Sequence, residues 1–135
     1  MSQAPIREYS GKRLIHSWME KHDVRKEFKT IGEMVLITPK TDMSSLESPF
    51  KPNTKLVGKP DQLVKRRGKL GLVSLNKSFN DTLNWIKTKR NNELTIKTAT
   101  DTLEYFLIEP FIKHTQNEEL YICIHSVRDG DEILF

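Results

Sequence analysis

The stretch from Lys55 to Leu75 constrains this chain more than any other. Two short apolar, β-prone runs, Lys55-Leu56-Val57 and Leu70-Gly71-Leu72-Val73-Ser74-Leu75, enclose Lys59, Lys65, Arg66, Arg67, Lys69 and the flexible Gly68. Six cations face one carboxylate, Asp61, between Lys55 and Gly71, which is more positive charge than the net +4 of the whole 135-residue chain. The basic character is therefore local, and a segment so charged belongs on a surface, at a strand–turn–strand. Glycines let backbone N–H groups come close to an anion, and lysines and arginines neutralise it. A polyphosphate is the chemistry that such a turn suits. On charge alone two other readings stay open: a solvated loop, and a site for a nucleic-acid backbone. Against the second, no aromatic residue lies between Phe50 and Phe79, so bases would find no stacking platform.

The remainder alternates helical and strand signals. Residues 10–28 read as an amphipathic helix with Ser10 as its N-cap, and Leu14, Ile15, Trp18 and Met19 form an apolar face to pack on a neighbouring sheet. Residues 33–38 read as a short buried strand stopped by Pro39, and residues 40–54, rich in Ser, Thr and Pro, as a loop. Strands are predicted over 55–59 and 70–76. A helix follows to about Arg90, capped by Ser78 or Asn80, with Leu83, Trp85 and Ile86 on its apolar side. Residues 95–100 are ambiguous. Residues 103–112 read as a strand interrupted by Pro110, and 119–127 as a period-two strand joined to 132–135 through Asp129-Gly130, a strong hairpin signal. The fold class is mixed α/β (α+β).

Composition excludes several classes. Hydrophobic residues make up 36% and no apolar run approaches the roughly 18 residues of a membrane span, so no membrane partner is expected. The first residues, Met1-Ser2-Gln3-Ala4-Pro5, lack the apolar core of a secretory signal, which suggests the cytosol. The lone Cys123 cannot form an internal disulfide and reads as a packing residue. His16 and His22 lie six apart, on different helix faces, so they are not a metal pair.

The run Lys59-Pro60-Asp61-Gln62-Leu63, followed by Lys65-Arg66-Arg67-Gly68-Lys69-Leu70-Gly71-Leu72-Val73, closely resembles the N-terminal region of the ATP-citrate lyase family. Phe106-Leu107-Ile108-Glu109-Pro110-Phe111, Glu118-Glu119-Leu120-Tyr121-Ile122-Cys123-Ile124 and Arg128-Asp129-Gly130-Asp131 are similar to the same family in the same order. That family belongs with the succinyl-CoA synthetases and opens with an ATP-grasp domain, in which two subdomains clamp ATP. The resemblance implies an N-terminal helix over 1–28 that packs with the second subdomain, a first subdomain over 29–106, and over 107–135 the hinge and the opening hairpin of an incomplete second subdomain. The chain stops in the apolar Ile133-Leu134-Phe135 with no polar tail, and the family continues far beyond, so a truncated chain is expected.

The site residues follow from the resemblance, position by position. Lys59 matches a lysine on the nucleotide phosphates; Arg67 and Gly68 match the phosphate loop. In Glu109-Pro110-Phe111-Ile112, the hinge, the carbonyl of Pro110 would accept from the exocyclic amine of adenine and the amide of Ile112 would donate to a ring nitrogen. Glu119 matches the carboxylate that binds the ribose hydroxyls. Lys65, Arg66 and Lys69 are electrostatic background, and Val57 and Leu107 are candidate walls of the adenine slot. Gly58 departs from the branched aliphatic residue expected there, which would remove a wall side chain. Mg2+ ligands, the phosphorylated histidine, and the citrate and CoA sites of the complete homotetrameric enzyme would all lie outside this chain, so no catalytic residue is assigned. On its own it should show negligible turnover and weak or no ATP binding. Two alternatives remain: a succinyl-CoA synthetase-type subunit, and a non-catalytic basic module binding nucleic acid or an acidic partner.

Overall fold

The computed structural model describes residues 6–22, 33–96 and 99–135. Its centre is a four-stranded antiparallel sheet. In chain order the strands are β1 (Val35–Ile37), β2 (Leu56–Pro60), β3 (Ser74–Lys77) and β6 (Phe106–Pro110), and across the sheet they run β1-β6-β2-β3. Lys59 stands opposite Leu107, and Val57 opposite Glu109. Because side chains alternate along a strand, β2 sends Leu56 and Gly58 to one face and Val57 and Lys59 to the other.

The first face carries the core. Helix α2 (Phe79–Lys89) lies on it through Thr82, Leu83 and Ile86, and Leu56, Phe106 and Ile108 meet them from the sheet. Trp85 stands edge-on to Phe106 with ring centroids 6.2 Å apart. Of the two predicted caps it is Ser78 that serves, its Oγ accepting from the Asp81 amide at 3.2 Å. Gly58 belongs to this face. A Cβ added there would lie 2.6 Å from Thr82 Cγ2, so helix packing excludes a larger residue. The expectation that Gly58 removes a wall of the binding slot is corrected: it points away from that side of the sheet.

The basic segment is more ordered than a loop. Leu72 N–H bonds back to Arg67 O (2.9 Å) and Gly71 N–H to Gly68 O (3.2 Å), with Gly71 at φ +65°. These two bonds and the left-handed glycine form a Schellman end to one helical turn, and Leu72, the residue after it, is buried in the core. That turn delays the strand predicted over 70–76, and β3 starts only at Ser74. Asn76, at φ +57°, then takes up the irregular register between β2 and β3.

Helix α1 (Glu8–Lys21) starts two residues before the expected Ser10 cap. Its N-cap, Arg7, makes no side-chain cap; instead the carboxylate of Asp61, from the basic segment, accepts from the Tyr9 amide at 3.0 Å. Burial pushes the Asp61 carboxyl up, and that N–H works against it. The predicted packing through an apolar face is also corrected. Leu14, Ile15 and Trp18 are exposed, none of the helix residues is fully buried, and the contacts to the sheet come from charged Glu8 and Lys12, with Arg7 stacked 3.7 Å from the Tyr105 ring centroid. The part of the predicted helix beyond His22 lies outside the described residues.

Two hairpins complete the fold. β4 (Glu93–Ile96) pairs with β5 (Ala99–Thr102), which makes strand of the described part of the ambiguous region. β7 (Cys123–Val127) pairs with β8 (Gly130–Leu134) around the predicted Asp129-Gly130 turn, with Gly130 at φ +148°. β7 is shorter than expected because residues 116–118 form a 3-10 turn, which is followed by exposed Leu120, Tyr121 and Ile122. No helix among the described residues is long and apolar enough to cross a membrane.

Candidate functional site

On the sheet face away from α2 lies an open cavity of about 1160 Å³. Lys59, Arg67, Gly68, Pro110, Ile112 and Glu119, the six positions singled out in the sequence, all line it. They come from β2, the basic turn, the end of β6 and the segment leading to β7, so tertiary folding alone collects them. Val57 lines the cavity as expected, whereas Leu107, fully buried, does not. Lys65 and Arg66 add positive charge at its rim. A Cβ placed on Gly68 would meet nothing within 4 Å, so packing does not demand glycine; the space above it is open for a ligand to approach the backbone.

Lys59 is not a bare cation. Its Nζ lies 2.6 Å from Glu8 Oε1 and 2.7 Å from Glu109 Oε1. Lys12 closes a ring of alternating charge, 2.8 Å from Glu8 Oε1 and 2.6 Å from Glu109 Oε2. Arg67 donates to the other Glu8 oxygen (2.7 Å) and to Pro60 O (2.7 Å), which locks its guanidinium over the end of β2. The two lysines and two glutamates cancel, and Arg67 leaves the cluster one positive charge in excess. Lys59 keeps one of its three N–H donors beyond those two carboxylates, and Arg67 three of five. Part of the positive charge on this side of the cavity is thus already neutralised by Glu8 and Glu109.

The electrostatics agree with the geometry. Burial would raise the Glu8 carboxyl, but hydrogen bonds from Lys12, Lys59 and Arg67 outweigh it and hold it at about 2. Burial would likewise lower Lys12, and its bonds to Glu109 and Glu8 reverse the direction, so it is pushed up. Glu8 and Lys12 therefore both stay ionised near neutrality.

Sequence reasoning missed Glu8 and Lys12. Their spacing of four on a helix was a signal for an ion pair, yet nothing in the sequence says that this pair turns toward β2. Glu109 was read only as part of the hinge. At the other end of the cavity, Glu119 Oε1 meets His114 Nε2 at 2.8 Å, while Glu118 closes a capping box on Thr115. Magnesium does not fit the residues present. Glu8 and Glu109 are each bonded to two or more cationic side chains, and among the described residues no group of three or more His, Cys, Asp or Glu converges.

Residues 2–135 match the family model of the ATP-citrate synthase ATP-grasp domain. The chain belongs to that family. ATP-citrate synthases of Bos taurus and Homo sapiens are each 41% identical to it over 138 residues, covering all of this chain and 12% of their own length. The structure of ATP citrate lyase from Methanothrix soehngenii, in complex with citrate and coenzyme A, superposes with a TM-score of 0.85 at 40% identity, over 98% of this chain and 31% of that one. Family membership thus bears out the resemblance and the ATP-grasp reading of the fold. The chain spans about an eighth of the length of the Bos taurus and Homo sapiens relatives and about a third of the Methanothrix soehngenii one.

Proposed function

We propose that this chain is the opening, nucleotide-binding portion of an ATP-citrate lyase. The observation that carries the proposal is that six residues, drawn from positions 59 to 119 by the resemblance, line one cavity. Lys59 and Arg67 hold the α and β phosphate oxygens, one as a point charge and the other as a planar fork, with the Gly68 amide beside them. The Pro110 carbonyl and Ile112 amide read adenine, and Glu119 accepts from the ribose hydroxyls. Residues 29–106 serve as the first ATP-grasp subdomain, and 107–135 as the hinge and first hairpin of the second, with α1 bridging toward it.

The complete enzyme would cleave citrate with ATP and CoA to acetyl-CoA and oxaloacetate, supplying cytosolic acetyl-CoA for lipid synthesis as a homotetramer. Here the chain's own residues bind and orient the nucleotide; the Mg2+ ligands, the phosphohistidine and the sites for citrate and CoA come from elsewhere. The chain alone should turn over no citrate and bind ATP weakly, at roughly millimolar Kd. Two measurements test this. ATP titrated into the chain should shift amide resonances of the cavity-lining residues. Added to a relative's polypeptide that lacks the corresponding segment, the chain should restore citrate cleavage. If ATP at 10-fold above that level (on the order of 10 mM) moved no cavity resonance, and complementation also failed, the proposal would fall.

A further inference from the structure

His114 stands between the two residues proposed to read the nucleoside. Its Nδ1 lies 2.8 Å from the Ile112 carbonyl oxygen and its Nε2 lies 2.8 Å from Glu119 Oε1. A carbonyl and a carboxylate only accept hydrogen bonds, so both contacts hold together only when both ring nitrogens carry protons. The ring is then an imidazolium. We propose that His114, as a cation, is a positioning residue that ties Ile112 to Glu119 and so sets the spacing between the adenine- and ribose-reading ends of the site.

This rests on the nucleotide reading above and adds to it a residue that the sequence left without a role. Glu119 keeps its second carboxylate oxygen for a ribose hydroxyl while the first is held by His114. Glu118 is held in a local bond of its own, its Oε2 accepting from both the Thr115 amide (2.7 Å) and the Thr115 hydroxyl (2.8 Å). The exposed linker has no sheet to hold Glu119 in place, so a local bond must do it. Hydrogen bonding to Ile112 O first, and to Glu119 second, pushes the His114 ring up from its ordinary value; the charge of Glu118 adds to this. Among the described residues, Glu119 and Glu118 are the charged groups that act on the ring. With the pKa raised, the clamp is complete below the ordinary histidine value and is lost as pH rises through the raised one.

The test uses the 135-residue chain, with ATP and 2′,3′-dideoxy-ATP as probes, because the ratio of their affinities cancels the titration of the phosphates. The expected ribose preference is about fivefold at pH 6, the worth of one net hydrogen bond, and it shrinks toward unity at pH 8.5. His114→Gln should show the high-pH ratio at every pH, and His114→Arg, a permanent cation, should retain part of the preference without pH dependence. In the free chain the His114 imidazole should titrate above the ordinary histidine value and return toward it in Glu119→Gln. If Glu119→Gln leaves the ribose preference intact, or ATP neither binds the chain nor is used in the complementation assay, the nucleotide reading itself fails and this inference falls with it. If Glu119→Gln abolishes the preference while His114→Gln keeps both the preference and its pH profile, only the clamp is overturned.

Discussion

The two ends of the cavity are built in opposite ways. The end proposed to hold the phosphates rests on β2 and β6, strands buried against α2, and its charged groups are half-buried, mutually bonded and fixed by the sheet register. The end proposed to read the nucleoside is the exposed segment after β6, where Ile112 and Glu119 are 63% and 66% accessible. One end is pre-arranged by packing and partly neutralised by its own carboxylates. The other holds its shape by short-range hydrogen bonds, through His114 and the Thr115–Glu118 box. Substitutions under the phosphate end should therefore cost stability as well as affinity, and those at the nucleoside end affinity alone.

The largest effect is expected at Gly58. Alanine there puts its Cβ against Thr82 Cγ2, and Thr82 cannot simply turn away, because its hydroxyl donates to Ser78 O at 2.8 Å. Gly58→Ala should cost about 1–3 kcal/mol of unfolding free energy, the usual range for overpacking. Gly58→Ala combined with Thr82→Ser, which deletes the clashing methyl and keeps the hydroxyl, should recover most of that loss in a double-mutant cycle read by denaturant titration. ATP affinity of the double variant should match the parent's, since Gly58 faces α2. A weakened nucleotide with restored stability would show that the two faces of β2 are not independent.

Lys59→Ala comes next. It removes the cation shared by Glu8 and Glu109, and a charge-assisted bond to phosphate of about 1.5–3 kcal/mol. ATP affinity should fall roughly 10- to 100-fold, while the ribose preference stays. Unchanged ATP binding by calorimetry would refute its place on the phosphates.

The contrast between the two ends also explains what could be read in advance. Strand alternation and turn chemistry located β2, the Asp129-Gly130 hairpin and the Ser78 cap, because these signals are local in sequence. The resemblance supplied the six cavity residues. The docking of α1 was misread for a physical reason: its apolar residues look like a core face, but its grip on the sheet comes from Glu8, Lys12 and a cap donated by Asp61, 52 positions from Tyr9. An ion pair at i,i+4 is visible in a sequence; which strand it turns toward is not. Likewise, Gly58 looked like a deletion in the slot because the facing side chain, Thr82, becomes its neighbour only after α2 packs.

The next effect tests the grip of α1 through acid. Glu8, held at about 2 against an ordinary 4.5, has a depressed carboxyl pKa. Its contribution to stability is therefore present above 4.5 and is lost as pH falls toward 2. Thermal melts over that window should show the parent losing stability more steeply than Glu8→Gln, whose amide does not titrate. The α1 amides should also lose exchange protection first, because the helix has few buried contacts to hold it once Lys59 and Arg67 let go. Parallel acid profiles for the two proteins would mean that the ring of charges does not anchor the helix.

The smallest effect is expected at Glu119. Its side chain is two-thirds exposed and bonded to His114 alone among the described residues, so Glu119→Ala should leave the melting temperature within the scatter of surface substitutions, about 0.5 kcal/mol. ATP affinity should drop only about three- to tenfold, the worth of a hydrogen bond made by a charged group at an exposed site. The change should disappear when dideoxy-ATP is the probe, since that ligand never used the carboxylate. A loss equal for both ligands would mean that Glu119 acts by shaping the linker, and would leave the nucleoside end without a ribose contact. Unchanged stability with a ribose-specific loss would instead set this end apart from Lys59, where affinity and folding share the same charges.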